Sequence, residues 1–468
     1  MSGQDGVGAG RLAVRATTLH ATWNRSTALF EVGASRGEPL HSSFQLESQR
    51  EETVDGEVVA SLHKLDDTAA EIFSACRGGE VVEGLLRRAI ATRNDLLDTI
   101  LGLGMPQHWL RRFAVGWQAR LLVMVNAHAS LDIRLVGLAI WTCHELLVVA
   151  GAWKLLGDVV QARSACGKCL ALARSFQRVC AGRHADTDDS QSEASRVEAM
   201  IHSSKQRLLA YVALDVRLTQ AFERFERHDA PHTLQLQLTE QFALLRRQAP
   251  LSIPITTALA TLLAAQRLDS LTLQLLTASP LTSADAKLTL LYARGLEVEG
   301  FWRQSIAVAT RFVATRPPYG SVVGSTSTRE ARHNQLLKEL RAHVESLSAL
   351  QALKDQAEEL ARAGEAADAT AKFTQCLAAT SNVKVTAALL FGRANAFVEL
   401  GNLTAATRDL KESIQLDPSN HLAKLVLKTV VMEQETSKMH AYLSKYPTDR
   451  GVRSASPSTI QLSDKVAS

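Results

Sequence analysis

The sequence has few of the residues that build a disulfide-bonded or membrane-spanning protein. Only six of its 468 residues are cysteines, and they follow no framework spacing, which is typical of a reducing compartment. Aromatic residues make up 5% of the chain although 46% is apolar, so alanine and branched aliphatic residues must supply the core. The most apolar region, residues 120–157, is interrupted by Asp132, Arg134, Glu145 and Lys154. Its uncharged runs are well short of the ~20 residues that a bilayer requires, so we expect no membrane span.

The sequence also has no large excess of basic or of acidic residues. The chain has 52 basic and 48 acidic residues, a formal net charge of +4. This balance argues against nucleic acid or an anionic membrane as the partner. The sequence has neither a phosphate-binding GxxxxGK loop nor an HExxH metal motif. We therefore predict a non-enzymatic chain without a cofactor or a metal.

Residues 389–418 have the pattern of one antiparallel helical hairpin. Gly401 and Asn402 are suited to the left-handed end of a first helix, and Pro418 cannot continue a second one. Small residues recur where two helices would touch, and larger apolar residues recur between them. The small residues are Ala394, Ala406 and Ser413, and the large ones are Leu390, Phe397 and Leu410. A single hairpin cannot bury its apolar face alone, so the pattern predicts stacked copies.

This pattern resembles the tetratricopeptide repeat. A second copy lies 37 residues upstream, with Gly364 in the position of Gly401 and Phe373 in that of Leu410. Weaker copies surround Gly300 and Gly157. The resemblance implies an all-α fold, a right-handed superhelix of stacked antiparallel hairpins that binds a protein or peptide in its groove.

The composition divides the chain into seven segments. We expect a disordered N-terminal arm (1–50), a polar linker (181–195), a flexible linker (319–328) and a disordered tail (447–468). Divergent helical repeats are expected at 51–180 and 196–318, and regular repeats with a capping helix at 329–446. One long helix is expected over residues 336–361. Residues 197–227, 233–248 and 256–277 are interpreted as degenerate helical repeats.

Two clusters have the residue types of chemical sites. Cys166 and Cys169 form a CxxC, which occurs in redox pairs and in zinc sites. Both cysteines fall on core positions of a repeat, so we expect buried, unreactive thiols. Cys143, His144 and Glu145 are adjacent in a helix and point in different directions. An enzyme with its site in residues 60–250 remains an alternative, and would gather His128, Cys143 or His144 with a carboxylate.

The order of repeats in residues 250–445 resembles the co-chaperones that have tetratricopeptide repeats ahead of a DnaJ-type J domain. The sequence has no His-Pro-Asp motif, which a J domain requires. In chaperone-binding relatives, two lysines, two asparagines and an arginine hold a C-terminal carboxylate. The matching positions here are Lys354, Glu358, Gly392, Leu422 and Val426, so only the first lysine is kept.

The predicted groove residues are polar side chains on first helices: Lys354, Glu358, Arg362, Arg393 and Glu399. The predicted partner is a protein or peptide, with a chaperone as one candidate, and the oligomeric state is left open.

We expect a cytoplasmic protein. The alternative is a mitochondrial assembly factor, because residues 1–45 contain Arg11, Arg15, Arg25 and Arg36 and few acids. RNA binding by a helical array is a further alternative, which the balanced charge disfavours.

Overall fold

The structure is a computed structural model that describes residues 18–24, 29–35, 47–78, 82–103, 106–130, 136–182, 188–227, 232–315 and 328–445. Two strands come first: β1 (Thr18–Asn24) and β2 (Leu29–Ser35). The helices are α1 (Glu47–Gly78), α2 (Glu83–Leu101), α3 (Pro106–Ser130), α4 (Val136–Leu155), α5 (Val159–Gly182), α6 (Asp188–Glu226), α7 (His232–Gln248), α8 (Ile253–Ala265), α9 (Asp269–Thr277), α10 (Ala286–Val298), α11 (Trp302–Thr315), α12 (Thr328–Arg362), α13 (Ala366–Ala379), α14 (Val383–Glu399), α15 (Leu403–Leu416) and α16 (His421–Lys445). The predicted all-α class is confirmed, with a short β-hairpin ahead of the helices.

The chain divides into two compact units, residues 1–347 and 348–468. The boundary lies inside α12, which confirms the long helix expected over residues 336–361. It does not coincide with the predicted flexible linker at 319–328, most of which lies outside the described residues, as does the tail at 447–468.

Among the described helices, five pairs of sequence neighbours are joined by the same kind of three-residue connection. The pairs are α4–α5, α8–α9, α10–α11, α12–α13 and α14–α15. In each, the residue before the second helix donates its amide to a carbonyl five residues earlier, which satisfies a free carbonyl at the end of the first helix. The bonds run from Asp158 to Trp153, Leu268 to Leu263, Phe301 to Leu296, Glu365 to Leu360 and Asn402 to Phe397, over 2.8–3.0 Å.

The middle residue of this connection has a left-handed backbone. It is glycine in four of the connections, Gly157, Gly300, Gly364 and Gly401, with φ between 72° and 85°. These are the four positions at which the sequence predicted hairpins. In the α8–α9 connection the residue is Arg267, with φ of 57°. The sequence interpretation treated residues 256–277 as one stretch because no glycine marks this turn.

The core of the first unit is built around α4. This helix lies against α3, α5 and α6. Residues 137–155 are long and apolar enough to cross a membrane, but 78% of this segment is buried inside the protein. Burial by neighbouring helices therefore explains why α4 is apolar on all sides.

The N-terminal arm differs from its prediction. β1 and β2 pair in antiparallel register, with Leu19 opposite Ala34 and Trp23 opposite Phe30. The expected disorder is therefore wrong for residues 18–24 and 29–35. The polar linker predicted at 181–195 is also shorter than expected, because α5 continues to Gly182 and α6 begins at Asp188. A polar segment can be helical when its helix is anchored by packing further along.

Candidate protein-binding surface

The predicted groove residues lie on α12 and α14 of the second unit. Lys354 and Glu358 are half-buried and form an ion pair within α12. Arg362 and Glu399 are exposed. Glu358 therefore partly neutralises the positive charge of Lys354. Burial raises the pKa of the Cys376 thiol, and the charge of Lys354 acts in the opposite direction.

Arg393 has a structural role that the sequence did not reveal. Its Nε and Nη2 donate to the two carboxylate oxygens of Asp409 on α15, at 2.7 and 3.0 Å. Its Nη1 donates to Thr374 Oγ1 on α13 at 3.1 Å, and the guanidinium lies 5.8 Å from the centre of the Phe397 ring. The Asp409 side chain is only 5% exposed. Through Asp409 and Thr374, Arg393 joins α14 to both α15 and α13. Arg393 as a groove residue stays a prediction, and its donors already make hydrogen bonds within the hairpins.

Gly392 lets α14 lie against an aromatic ring on α13. A Cβ atom built at this position would lie 2.8 Å from Cε1 and Cζ of Phe373. Phe373 is 3% exposed, so its ring has little room to move. No larger residue fits at position 392 without displacing Phe373. The asparagine that the carboxylate-binding relatives require here is thus excluded by packing.

A different strip of α14 is open to solvent. Ala388 and Glu399 are exposed, while Phe391 and Asn395 are half-buried. These residues are three or four positions apart, so they lie on one face of the helix. On α12 the residues 37 positions earlier include Lys354, Glu358 and Arg362, which occupy the same face by repeat register. Ala388, Phe391 and Asn395 were not among the predicted groove residues, because all five of those are charged.

The corresponding face of α16 is apolar. Leu422 and Leu425 are 64% and 63% exposed. Val426 is half-buried against the cluster formed by Ala423, Val430 and Leu410. The positions at which relatives have a lysine and an arginine are therefore occupied by aliphatic side chains.

The small residues predicted at the helix contacts are fully buried. Ala394 and Ala406 are 0% exposed, and Ser413 Oγ donates to the carbonyl of Ala387 across the α14–α15 pair at 2.7 Å. In the upstream pair, Ala357 and Ala369 are likewise 0% exposed. The chain has the hairpin architecture that its resemblance to the tetratricopeptide repeat predicted. Its repeats have alanine where helix axes approach and a glycine or Arg267 at each hairpin turn.

Comparison with known proteins adds two solved structures. The TPR domain of P58(IPK) is 16% identical, with an alignment that covers 83% of this chain and 94% of that one at a TM-score of 0.48. The APC/C hetero-tetramer Cut9-Hcn1 is 14% identical, with 86% and 92% covered and a TM-score of 0.28. No family model and no curated protein matches the chain.

The cysteines of the α4–α5 repeat are buried thiols. Cys166 and Cys169 are both 0% exposed, and their sulfur atoms lie 3.1 Å from the carbonyl oxygen and the hydroxyl of Ser204 on α6. Burial raises the pKa of Cys166 to about 12. The prediction that these side chains face the core is confirmed. Cys143 Sγ on α4 donates to the carbonyl of Cys169, and interaction with the Cys169 side chain, followed by burial, raises the pKa of Cys143.

The cavity beside Cys143 is lined by apolar side chains: Ala139, Ile140, Ala173, Phe176, Val197 and Met200. Burial, followed by the charges of Arg207 and Arg93, lowers the pKa of the neighbouring His144. This cavity contains no carboxylate, so it does not have the groups that the enzyme alternative requires. His128 lies in α3, in a part where side chains are not described.

Glu145 is part of a buried polar cluster instead. It accepts hydrogen bonds from Arg93 and from Trp117 Nε1, the latter at 2.9 Å. The Arg93 and Glu145 side chains are 4% and 1% exposed. Burial raises the pKa of Glu145, whereas Arg93 and Trp117 oppose the shift. Through Arg93 on α2 and Trp117 on α3, Glu145 links these two helices to α4. Its carboxylate oxygens are already hydrogen-bonded and are buried, so they are not accessible to a ligand.

Two further tests for chemical sites are negative within the described ranges. No group of three or more His, Cys, Asp or Glu side chains there could hold a metal ion. No GxSxG nucleophile elbow was expected from the sequence, but residues 33–37 do have the spacing of this motif. That motif requires a serine on a sharp strand-to-helix turn. Ser35 instead lies within β2, opposite Thr18, and the next described helix begins at Glu47.

Proposed function

We propose that the chain is a non-enzymatic scaffold, which binds a partner protein through the solvent-facing strip of its first helices in the second unit. The observation that carries this proposal is the α14 strip, in which Ala388 and Asn395 have no partner within the described residues. A shallow apolar centre with polar groups at its border is typical of a recognition surface for a peptide or helix.

The chemistry of the strip favours an amphipathic partner segment. Leu422 and Leu425 on α16 offer apolar contacts, whereas α12 offers the Lys354–Glu358 pair and Arg362. Aliphatic side chains of the partner would contact α14 and α16, and its polar side would face α12. This arrangement differs from the binding of a free C-terminal carboxylate, which requires several uncompensated cations and amides.

A co-chaperone-like adaptor role is one form of this proposal. A chaperone partner would be held along an amphipathic segment, since Gly392 leaves no room for an amide side chain and Glu358 repels a carboxylate. The partner is therefore defined by its pattern of apolar residues rather than by an acidic tail.

Site-specific photo-cross-linking in cells tests the proposal. A photoreactive amino acid placed at Asn395 in the full chain is expected to give discrete adducts with partner proteins. Ala388→Glu in the same chain should remove them, because a charge on the strip would have to be desolvated on binding. Ala388 is exposed, so this change leaves the repeat folded.

The matched control uses Thr404, an exposed residue on the second helix α15. A photoreactive group at position 404 should give different adducts or none, and Thr404→Glu should leave the adducts at 395 unchanged. The proposal is wrong if positions 395 and 404 give the same adducts, or if Ala388→Glu has no effect on them.

We further propose a cytoplasmic location, because the six cysteines include buried thiols and no framework spacing. The alternative is a mitochondrial assembly factor, with residues 1–45 as the targeting signal. A reporter fused to residues 1–45 distinguishes the two, since a diffuse cytosolic signal removes the mitochondrial alternative.

A further inference from the structure

One face of α16 presents large apolar side chains to solvent along most of its length. Leu422, Leu425, Met432 and Met439 are between 59% and 64% exposed. With Thr429 and Thr436 between them, these residues follow a spacing of three, four, three, four and three positions. The alternation of three and four repeats every seven residues, which is the period of a seam that packs against another helix. We name these six residues the α16 seam.

The seam lies opposite the face by which α16 packs on α15. Ala423 and Val430 are buried in the cluster that contains Leu410, and Gln434 Nε2 donates to Thr407 Oγ1 at 3.1 Å. At 100° per residue, this packed face and the seam are on opposite sides of the helix. No described residue covers the seam. Single exposed apolar residues are common, but four large ones along one face of a helix indicate a partner surface.

The C-terminal part of α16 has few tertiary contacts within the described residues. Beyond Val430, no residue of the helix whose side chain is described is buried. A helical segment in water gains most of its stability from tertiary contacts, and short segments without such contacts are marginal. A second helix along the seam would supply them over residues 432–439.

The seam is self-complementary in the antiparallel direction. Two copies of α16 side by side place Leu422 of one opposite Met439 of the other, and Thr429 opposite Met432. Leu425 then lies opposite Thr436, so every layer contains at least one large apolar residue. In a parallel pair, by contrast, each threonine would meet the same threonine of the other copy, which gives two polar layers.

The charges beside the seam are complementary in the antiparallel pair. A parallel pair would place Lys428 next to Glu433 instead, so the apolar layers decide the direction. Lys428 and Glu435 are exposed and flank the seam on one side. In the antiparallel pair, Lys428 of each copy lies next to Glu435 of the other, so the attraction occurs twice. Glu433 flanks the opposite side and lies next to Val426 of the other copy.

We propose that the protein forms a homodimer in which the α16 seams of two copies pack against each other in antiparallel orientation. The seam, with its flanking Lys428 and Glu435, is thus the surface for a second copy of this chain. Leu422 and Leu425 also belong to the surface proposed for a partner segment, so dimerisation and partner binding compete for these two residues, whereas Lys428 and Glu435 lie outside that surface.

Charge exchange in the full chain tests the arrangement. Sedimentation velocity should show a dimer that dissociates on dilution. Lys428→Glu or Glu435→Lys alone should raise the dissociation constant roughly tenfold, because each converts two attractions into two repulsions. An equimolar mixture of the two single variants should recover the affinity, since their heterodimer restores both attractions, and the double variant should recover it as well.

Three further variants make the result specific. Leu425→Glu places a charge in the seam and should give a monomer, whereas Leu209→Glu, at a residue 71% exposed on α6, should not change the mass. Glu433→Lys should have little effect in the antiparallel pair but would weaken a parallel one. A monomeric parent protein, a dimer insensitive to Leu425→Glu, or a mixture that fails to recover affinity would each overturn the proposal.

Discussion

Arg267 occupies a backbone position that the other four described hairpin turns of this type give to glycine. An L-residue in the left-handed region costs about 1–2 kcal/mol, whereas glycine carries an entropic cost of about 0.5–1 kcal/mol. Arg267 is exposed, and its side chain makes no hydrogen bond or ion pair within the described residues. Arg267→Gly should therefore stabilise the protein by about 0.5–1 kcal/mol, measured by urea unfolding.

The matched change is Gly401→Ala at the same position of the α14–α15 turn. No heavy atom lies within 4 Å of the Cβ that this substitution adds, so its effect is conformational only. We expect a loss of about 1 kcal/mol. If both substitutions shift stability in the same direction, the left-handed strain is not the cause.

The residue scale also shows where sequence reasoning fails. The left-handed glycines were predictable because few other residues tolerate that conformation. The role of Arg393 was not, because Asp409 lies on another helix and its position depends on how α14 and α15 cross. A surface arginine and an interhelical one look the same in a sequence. For the same reason, Phe391 and Asn395 were missed as strip residues.

At the scale of elements, the hairpins depend on side chains small enough for two helix axes to approach. Ala406 is 0% exposed and lies in the cluster with Ala394 and Leu410. Ala406→Arg overfills this space and buries a charge, so it should cost several kcal/mol and unfold the α14–α15 repeat. Hydrogen exchange of the α14 and α15 amides measures this directly.

Thr404→Arg is the control for Ala406→Arg, because it adds the same side chain to an exposed position on the same helix. It should change stability by less than about 0.5 kcal/mol. Equal protection of α14 and α15 amides in the Ala406→Arg variant and the parent protein would show that the repeat register is wrong.

The β-hairpin is the element that sequence reasoning missed. Residues 18–24 and 29–35 alternate in the manner of strands, but each segment is only seven residues long. The surrounding Gly, Ser, Thr and Arg residues favoured an interpretation as a disordered arm. A short strand pair becomes stable when other elements cover it, and here β1 lies against α2 and β2 against α4. That contact is a tertiary property.

At the scale of the whole molecule, the charge balance limits the class of partner. The formal net charge is +4 from 52 basic and 48 acidic residues. Binding of single-stranded RNA depends on many cations and is strongly sensitive to salt. We therefore expect little retention of single-stranded RNA in filter binding at about 50 mM salt, and no steep dependence up to about 200 mM. Tight, salt-sensitive retention would favour the RNA-binding alternative instead.

The division into units is a property that the sequence did not show. The flexible linker expected at 319–328 lies mostly outside the described residues, and the compact units divide at residue 347, inside a continuous helix. Composition reports where a chain is polar, whereas a unit boundary depends on which side chains pack together.

The sequence by itself determined the helical class, four of the five Gly- or Arg-centred turns and the buried alanines, because turn conformation and repeat spacing are local constraints on residue type. Only the tertiary structure decided that Arg393 joins three helices, that Gly392 lies under the ring of Phe373, and that the apolar seam of α16 has no covering helix among the described residues. These features depend on distances between residues on different helices, which no local pattern specifies.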